Sequence, residues 1–523
     1  MSRTAVAPNP TSGTEHEGER RTAVIDLGSN SFRLVVYTSV PGSWWKLTDE
    51  IHEAVRIGAG LDAAGQLGEA PMERALRTIR LYAHFCRASA LEPEAIHAVA
   101  TSAIRDAANR DEFLARAHEE SGLEIRVLSR EEEACYAYLA ACNSTTLDDG
   151  AVLDLGGGSL QLVDVRARHA VQSGSWSLGA VRMTERFLPD QSASKKQLGA
   201  LRDHVAQELE SARWLGRSGP RLVGIGGTVR NLATAAEKRA ALPTDGVQGF
   251  PLTRDALDDL VSELSKVPAS ERGGVPGIKP QRSDLILAGA AVLQAVMEAG
   301  SFDALEVTEA GMREGVFLAE HLAPAEPPLF EDIRADSVGN LAAQYRADAA
   351  HAGHVAKLAL GLFDALADAA LHDGDTEERD LLWAAAMLHD IGVAVDYDDH
   401  HKHSRYLILS AGLPGFTPRE TAIVAQMARY HRKGAPSFDD LEPLVGKGDQ
   451  AMLERGAALL RLAESLERSR DQIVDRAAIE IDDDGLVALR AISSQDASVA
   501  RWVAERHVDQ FERAFGRPLR IVG

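Results

Sequence analysis

The sequence predicts an α/β fold with an internal duplication, followed by an all-α region and a small α+β cap. Three observations carry this reading. The strand-turn-strand segment TAVIDLGSNSFRLVVY at 22–37 returns as AVLDLGGGSLQLVDV at 151–165. Amphipathic helical stretches alternate with short β-rich runs through most of the first 321 residues, the mark of an α/β architecture. From about 336 the pattern turns almost entirely helical. At 523 residues the chain exceeds what one hydrophobic core supports, roughly 250–300 residues, so several domains are expected.

Taken in order, residues 1–20 (MSRTAVAPNPTSGTEHEGER) read as a polar, disordered tail without the apolar core of a signal peptide. Residues 21–145 and 146–321 form two similar subdomains, each opening on one copy of the repeat. In each copy an apolar run ends in Asp-Leu-Gly, a small polar or glycine-rich turn follows, and a β-rich run returns as in a hairpin. Two similar halves facing one another would each supply a phosphate-sized turn to a shared cleft. A third turn, RLVGIGGTVRNLA at 221–233, places a short strand before Gly226, Gly227 and a helical segment. The proline-rich, acidic stretch APAEPPLFED sits in a linker over 322–335. A helical domain spans 336–475, and 476–523 holds a hairpin with an Asp-Gly turn, a helix and a last strand.

Composition narrows the function. Hydrophobic residues at 45% and charged residues at 26% describe a folding globular chain. No run reaches the ~20 apolar residues of a membrane span, and three cysteines without a CxxC pair suit a reducing cytoplasm. A net charge of -22 repels nucleic acid and anionic lipid. It repels polyphosphate too, so an anionic substrate needs a locally positive site, and a bound metal would help.

Glycine and serine turns after a strand suit phosphate, because backbone N–H groups converge on the anion and no Cβ blocks its approach. Gly28, Ser29, Asn30 and Ser31 qualify, as do Gly156, Gly157, Gly158 and Ser159. Asp26 and Asp154 end the strands beside these turns, where carboxylates could hold Mg2+ against phosphate oxygens or merely cap the turns. Arg105, after the strand VAT, is expected to begin a helix and point its guanidinium at the cleft. In VLSREEEACYAYLAA, Glu131, Glu132 and Glu133 open a helix; most such runs are solvated, but one buried toward the cleft could activate water.

Together these motifs resemble the exopolyphosphatase / guanosine pentaphosphate phosphatase family. IDLGSNSFRLVV, VATSAIRDA, LSREEEA, LDLGGGS, SLGAVRMTERF, GIGGT and TEAGMREGV fall in that family's order over nearly the whole chain from about residue 21. The resemblance implies a duplicated actin-like (RNase H-like) catalytic half and a homodimer that hydrolyses inorganic polyphosphate or guanosine pentaphosphate with Mg2+ or another divalent cation such as Mn2+. It gives Glu133 the role of catalytic base, Asp154 that of metal support, and Ser29, Asn30, Arg105, Gly157, Gly158 and Ser159 contacts to phosphate. One position departs: the family commonly has glutamate where this chain has Gln161.

The helical domain carries His354, His389 with Asp390, His403, His431 and Glu464, which look like the HD fold. Such residues either bind a divalent metal or hydrogen-bond in inherited architecture without one. Lys402, Arg405, Arg429, Arg432 and Lys433 interleave with the histidines, as a wall for a polyanion or as surface ion pairs. The leading expectation is hydrolysis of terminal phosphate from polyphosphate by water activated at Glu133. Its rivals are the same chemistry on guanosine pentaphosphate, a non-hydrolytic actin-like phosphate sensor, and a phosphodiesterase working through the helical domain.

Overall fold

The computed structural model describes residues 18–61, 65–190 and 192–522. Most of the expected polar tail lies outside these residues, and Arg20 already opens the first strand. β1 (Arg20–Leu27), β2 (Phe32–Val40) and β3 (Trp44–Glu53) form an antiparallel meander. After α1 (Glu69–Ala88) come β4 (Ile96–Ala100), the four-residue α2 (Ser102–Arg105), α3 (Arg110–Ser121) and β5 (Ile125–Val127). The strands make one sheet in the order β3-β2-β1-β4-β5, with β4 and β5 parallel to β1.

The second half repeats this plan. α4 (Arg130–Cys142) leads to the meander β6 (Gly150–Leu155), β7 (Leu160–Arg166) and β8 (His169–Trp176). α5 (Ala180–Phe187), α6 (Lys195–Glu208), β9 (Arg221–Ile225), α7 (Gly227–Arg239), β10 (Phe250–Thr253), α8 (Arg254–Lys266), α9 (Ile286–Gly300) and β11 (Ala304–Val307) complete it. The sheet order β8-β7-β6-β9-β11-β10 reproduces the first and adds one edge strand. The expected hairpins pair Leu27 with Phe32 and Leu155 with Leu160, leaving four-residue turns at 28–31 and 156–159.

Two helices lock the halves by packing across them. Ala137, Leu139 and Cys142 of α4 bury against Val152, Val163 and Val223 of the second sheet. Val316, Phe317 and Leu318 of α10 (Met312–His321) bury against Val24, Val35 and Tyr37 of the first. Phe317 stacks on Tyr37 with ring centroids 4.2 Å apart, a contact worth ~0.5–1.5 kcal/mol beyond its buried area. The two helices cross at Gly315, where any Cβ would collide with the Tyr136 carbonyl.

The remainder is helical: α11 (Ile333–Gln344), α12 (Ala349–Asp368), α13 (Thr376–Leu388), α14 (His400–Ala411), α15 (Pro418–Tyr430) and α16 (Asp449–Leu466). A three-stranded sheet of β12 (Val474–Ile481), β13 (Val487–Ser493) and β14 (Leu519–Val522), with α17 (Ser498–Ala504) and α18 (Val508–Phe515), follows. Val487, Leu489 and Phe511 of this cap share one core with Val355, Leu381, Ile423 and Leu459 of the helices. The helical part is pinned to the first half through Trp45, whose N–H donates to Asn340 Oδ1 at 2.8 Å and whose carbonyl accepts from Gln344 at 3.0 Å. Among the described residues no helix is long and apolar enough to cross a membrane.

Candidate active site

The paired turns meet. Asp26, Ser29, Asn30, Ser31, Glu133, Asp154, Gly156, Gly157, Ser159, Gly226 and Gly227 all line one cleft of about 130 Å3 between the sheets. The seam is tightest at Gly158, where a Cβ would collide with Ser102 Oγ and stand 2.7 Å from Ser29 Oγ. Ser29 Oγ and Ser102 Oγ lie 3.0 Å apart, tying the first turn to the start of α2. Gly226 takes a φ of +108°, which turns β9 into α7 and aims the start of that helix at the cleft.

Glu133 reaches this cleft because of how α4 begins. Ser129 and Glu132 close a reciprocal capping box, and Glu132 also pairs with Arg126. The next residue therefore faces inward, and Glu133 is only 5% exposed. Arg105 Nη1 donates to Glu133 Oε2 at 2.6 Å and to the Leu128 carbonyl at 3.0 Å. Arg105 closes the short α2 rather than opening a longer helix, and its guanidinium orients the carboxylate. Burial pushes the Glu133 carboxyl up to about 7, against the opposing pull of Arg105. Gln161 fills the departing position; its amide donates to Glu133 Oε2 at 3.3 Å and Ser159 Oγ at 2.9 Å.

Asp26 and Asp154 end β1 and β6 and face the same cleft. Burial, and secondly the charge of Asp26, raises Asp154 to about 6. Burial also raises Asp26, opposed by Arg313, whose Nη1 lies 3.3 Å from Asp26 Oδ2. Two buried carboxylates facing one cleft, the charge of Asp26 hindering ionisation of Asp154, fit a hard divalent cation, which takes oxygen ligands and would relieve their repulsion.

The positive charge demanded by the acidic chain comes from arginines that the sequence did not single out. Arg33, Arg230, Arg282 and Arg313 line both the cleft and an adjoining cavity of about 870 Å3 that opens toward the helical part at Ala411 and Pro414. Burial depresses Arg282 to about 10, with Arg230 and Arg33 adding repulsion. Three of these four cations thus sit in unfavourable company that a polyanion would relieve. Three of the five basic residues singled out in the helical part are paired with carboxylates: Lys402 and Lys433 both bind Asp399. Arg405 binds Asp440.

In the helical part the structure brings together His389, Asp390, His431 and Glu464, but with His351 and His400 as their companions. His354 and His403, expected from the sequence, lie one helical turn from these two and outside the cluster. His354 Nε2 lies 3.0 Å from the Val474 carbonyl and 3.5 Å from Glu467. His403 sits beside Gly392, outside the cluster.

Facing sheets that close paired glycine- and serine-rich turns over a buried glutamate and two aspartates make an actin-like, sugar-kinase-like fold with one cleft between its halves. The chain belongs to the Ppx/GppA phosphatase family: that family's profile matches residues 35–323, and the profile of its domain III matches 333–493. It is therefore a phosphohydrolase. It is similar to the Ppx/GppA family member of Aquifex aeolicus at 29% identity, covering 58% of this chain and 97% of the other with a TM-score of 0.50. An exopolyphosphatase from Cytophaga hutchinsonii shares the fold at 21% identity, covering 58% and 98%, with a TM-score of 0.54.

Proposed function

We propose that the protein is an exopolyphosphatase that removes the terminal phosphate of inorganic polyphosphate with the aid of Mg2+. The observation that carries the reading is a buried Glu133 held by Arg105 and Gln161 beside two anion-sized turns. The terminal phosphoryl group rests between the 28–31 and 156–159 turns, whose N–H groups and hydroxyls meet its oxygens. Glu133 accepts a proton from a water aligned with the scissile bond, and Arg105 keeps the accepting oxygen fixed. Asp26 and Asp154 would hold the cation, which when bound neutralises charge on the phosphate oxygens. Arg33, Arg230, Arg282 and Arg313 draw the following phosphates into the larger cavity, whose size admits several units of a chain.

The same cavity supports a second reading, guanosine pentaphosphate, because apolar Tyr37 and Trp45 share its wall with the arginines and could flank a base. Turnover measured on long-chain polyphosphate and on guanosine pentaphosphate, with purified chain and saturating Mg2+, tests the choice. A higher kcat/KM for polyphosphate is expected, and a marked preference for the nucleotide would replace the first reading by the second. In either case the enzyme works as a soluble cytoplasmic homodimer in this proposal, which a sedimentation measurement checks.

A further inference from the structure

The two glycine- and serine-rich turns are joined a second time, by side chains that neither turn contains. The first turn holds the start of α2 through Ser29 and Ser102, whose hydroxyl oxygens lie 3.0 Å apart, and α2 ends in Arg105 followed by Asp106. The second turn holds the start of α5: the N–H groups of Ala180 and Val181 donate to the carbonyls of Gly156 and Gly157 at 3.0 and 2.8 Å. These two arms meet where Arg182 of α5 donates from Nη2 to Asp106 Oδ2 at 2.6 Å. One helical turn along, Glu185 accepts from the Gly60 N–H at 3.2 Å, a further bond between the halves from the same helix.

Asp106 is also the carboxylate behind Arg105. Nη1 of Arg105 is committed to Glu133 Oε2 and the Leu128 carbonyl, while its Nε is buried without a hydrogen-bond partner. Asp106 Oδ1 stands 3.6 Å from that Nε, too far for a hydrogen bond but close enough for charge to hold the guanidinium. Arg130, which opens α4 three residues before Glu133, places Nη2 4.0 Å from the same oxygen. One carboxylate thus stands among three guanidinium groups, from α2, α4 and α5. Ion pairs between solvated side chains contribute little. Here the side chains of Arg105 and Arg182 are only 13% and 15% exposed, and the first of them holds the buried Glu133.

We propose that Asp106 is a positioning residue for hydrolysis, bracing Arg105 from the side away from Glu133, and that Arg182 supplies this brace from the opposite half. The aim of the glutamate then depends on the two turns being together. When the halves part, Arg182 leaves with the second turn and Asp106 loses one of the cations that fix it. Arg105 gains rotational freedom, and the carboxylate it orients is no longer held in line with the attacking water. Misplacing a catalytic group by a fraction of an ångström slows the chemical step and leaves substrate binding nearly untouched. The inference rests on the reading of Glu133 as the base.

Steady-state kcat and KM of the full chain are measured at saturating Mg2+ on long-chain polyphosphate or guanosine pentaphosphate, whichever turns over faster. Asp106→Asn and Arg182→Gln should each lower kcat by about 10-fold, the effect of one lost charge-assisted contact, with KM within about twofold of wild type. Arg182→Lys, which keeps the charge, should return kcat to within about threefold. In Arg105→Gln, adding Asp106→Asn should lower kcat no further, because residues that act through one another are not additive. In Arg230→Gln, which leaves Arg105 and Glu133 intact, the same change should have its full effect. An unchanged kcat in Asp106→Asn makes the bridge a surface ion pair and overturns the proposal. An equal loss in the Arg105→Gln background, or a loss that tracks the fraction unfolded at the assay temperature, overturns it too. Glu133→Ala separates the two levels: wild-type turnover there removes the base itself, whereas an inactive Glu133→Ala beside a fully active Asp106→Asn removes only the brace.

Discussion

The Gln161 amide lies 3.3 Å from Glu133 Oε2 and donates to it, while the same glutamate oxygen accepts from Arg105 at 2.6 Å. A neutral donor here steadies the ionised form of the buried base without adding charge to a cleft that already holds Asp26 and Asp154. Gln161→Glu reverses this. A second carboxylate beside Glu133 disfavours its ionisation, so the acidic limb of the rate profile moves to higher pH. It also gives the cation another oxygen ligand, so the Mg2+ concentration for half-maximal activity falls. Paired pH and Mg2+ titrations of the two enzymes check both effects.

Turnover itself should follow the ionisation of Glu133. Its carboxyl is raised from 4.5 to about 7 by burial. A base works only when ionised, so kcat/KM rises with pH through the neutral region and levels off above it. The profile of kcat/KM at saturating Mg2+ measures this. A limb that persists unchanged in Glu133→Gln would assign it to another group.

The four cleft arginines lack carboxylate partners of equal number, which makes them available to substrate. Arg230→Gln should lower kcat/KM by about 10- to 100-fold, as expected for one lost charge-assisted hydrogen bond of ~1.5–3 kcal/mol. It should also weaken the dependence of KM on salt. Initial rates across a salt series on long-chain polyphosphate report both.

Gly315 lets α10 cross α4 at backbone contact with Tyr136. Gly315→Val forces the helices apart and costs roughly 1–3 kcal/mol, the usual cost of overpacking. A lower Tm is expected, with reduced activity, because α4 carries Glu133. Thermal melting by circular dichroism beside an activity assay tests it.

The hairpins at 27–32 and 155–160 were legible in the sequence because turn chemistry is local: Asp-Leu-Gly and a short polar loop between β-rich runs specify a hairpin without reference to the rest. Glu133 was legible through its motif. The exchange of α4 and α10 between halves was not, because it joins residues far apart in the chain through apolar faces that look like any other. Arg33, Arg230 and Arg313 stood inside quoted segments, IDLGSNSFRLVV, RLVGIGGTVRNLA and TEAGMREGV, but no spacing marked them as one cluster, and Arg282 lay outside every motif. His351 and His354, like His400 and His403, are three residues apart, so helical spacing alone leaves open which of each pair joins the cluster around Asp390.

The central claim is that Glu133 deprotonates the attacking water. It is tested most directly by single-turnover phosphate release from polyphosphate by Glu133→Ala under saturating Mg2+. A loss of ~10²–10⁴ in rate with polyphosphate binding retained is the predicted result. Release at the wild-type rate would contradict the account.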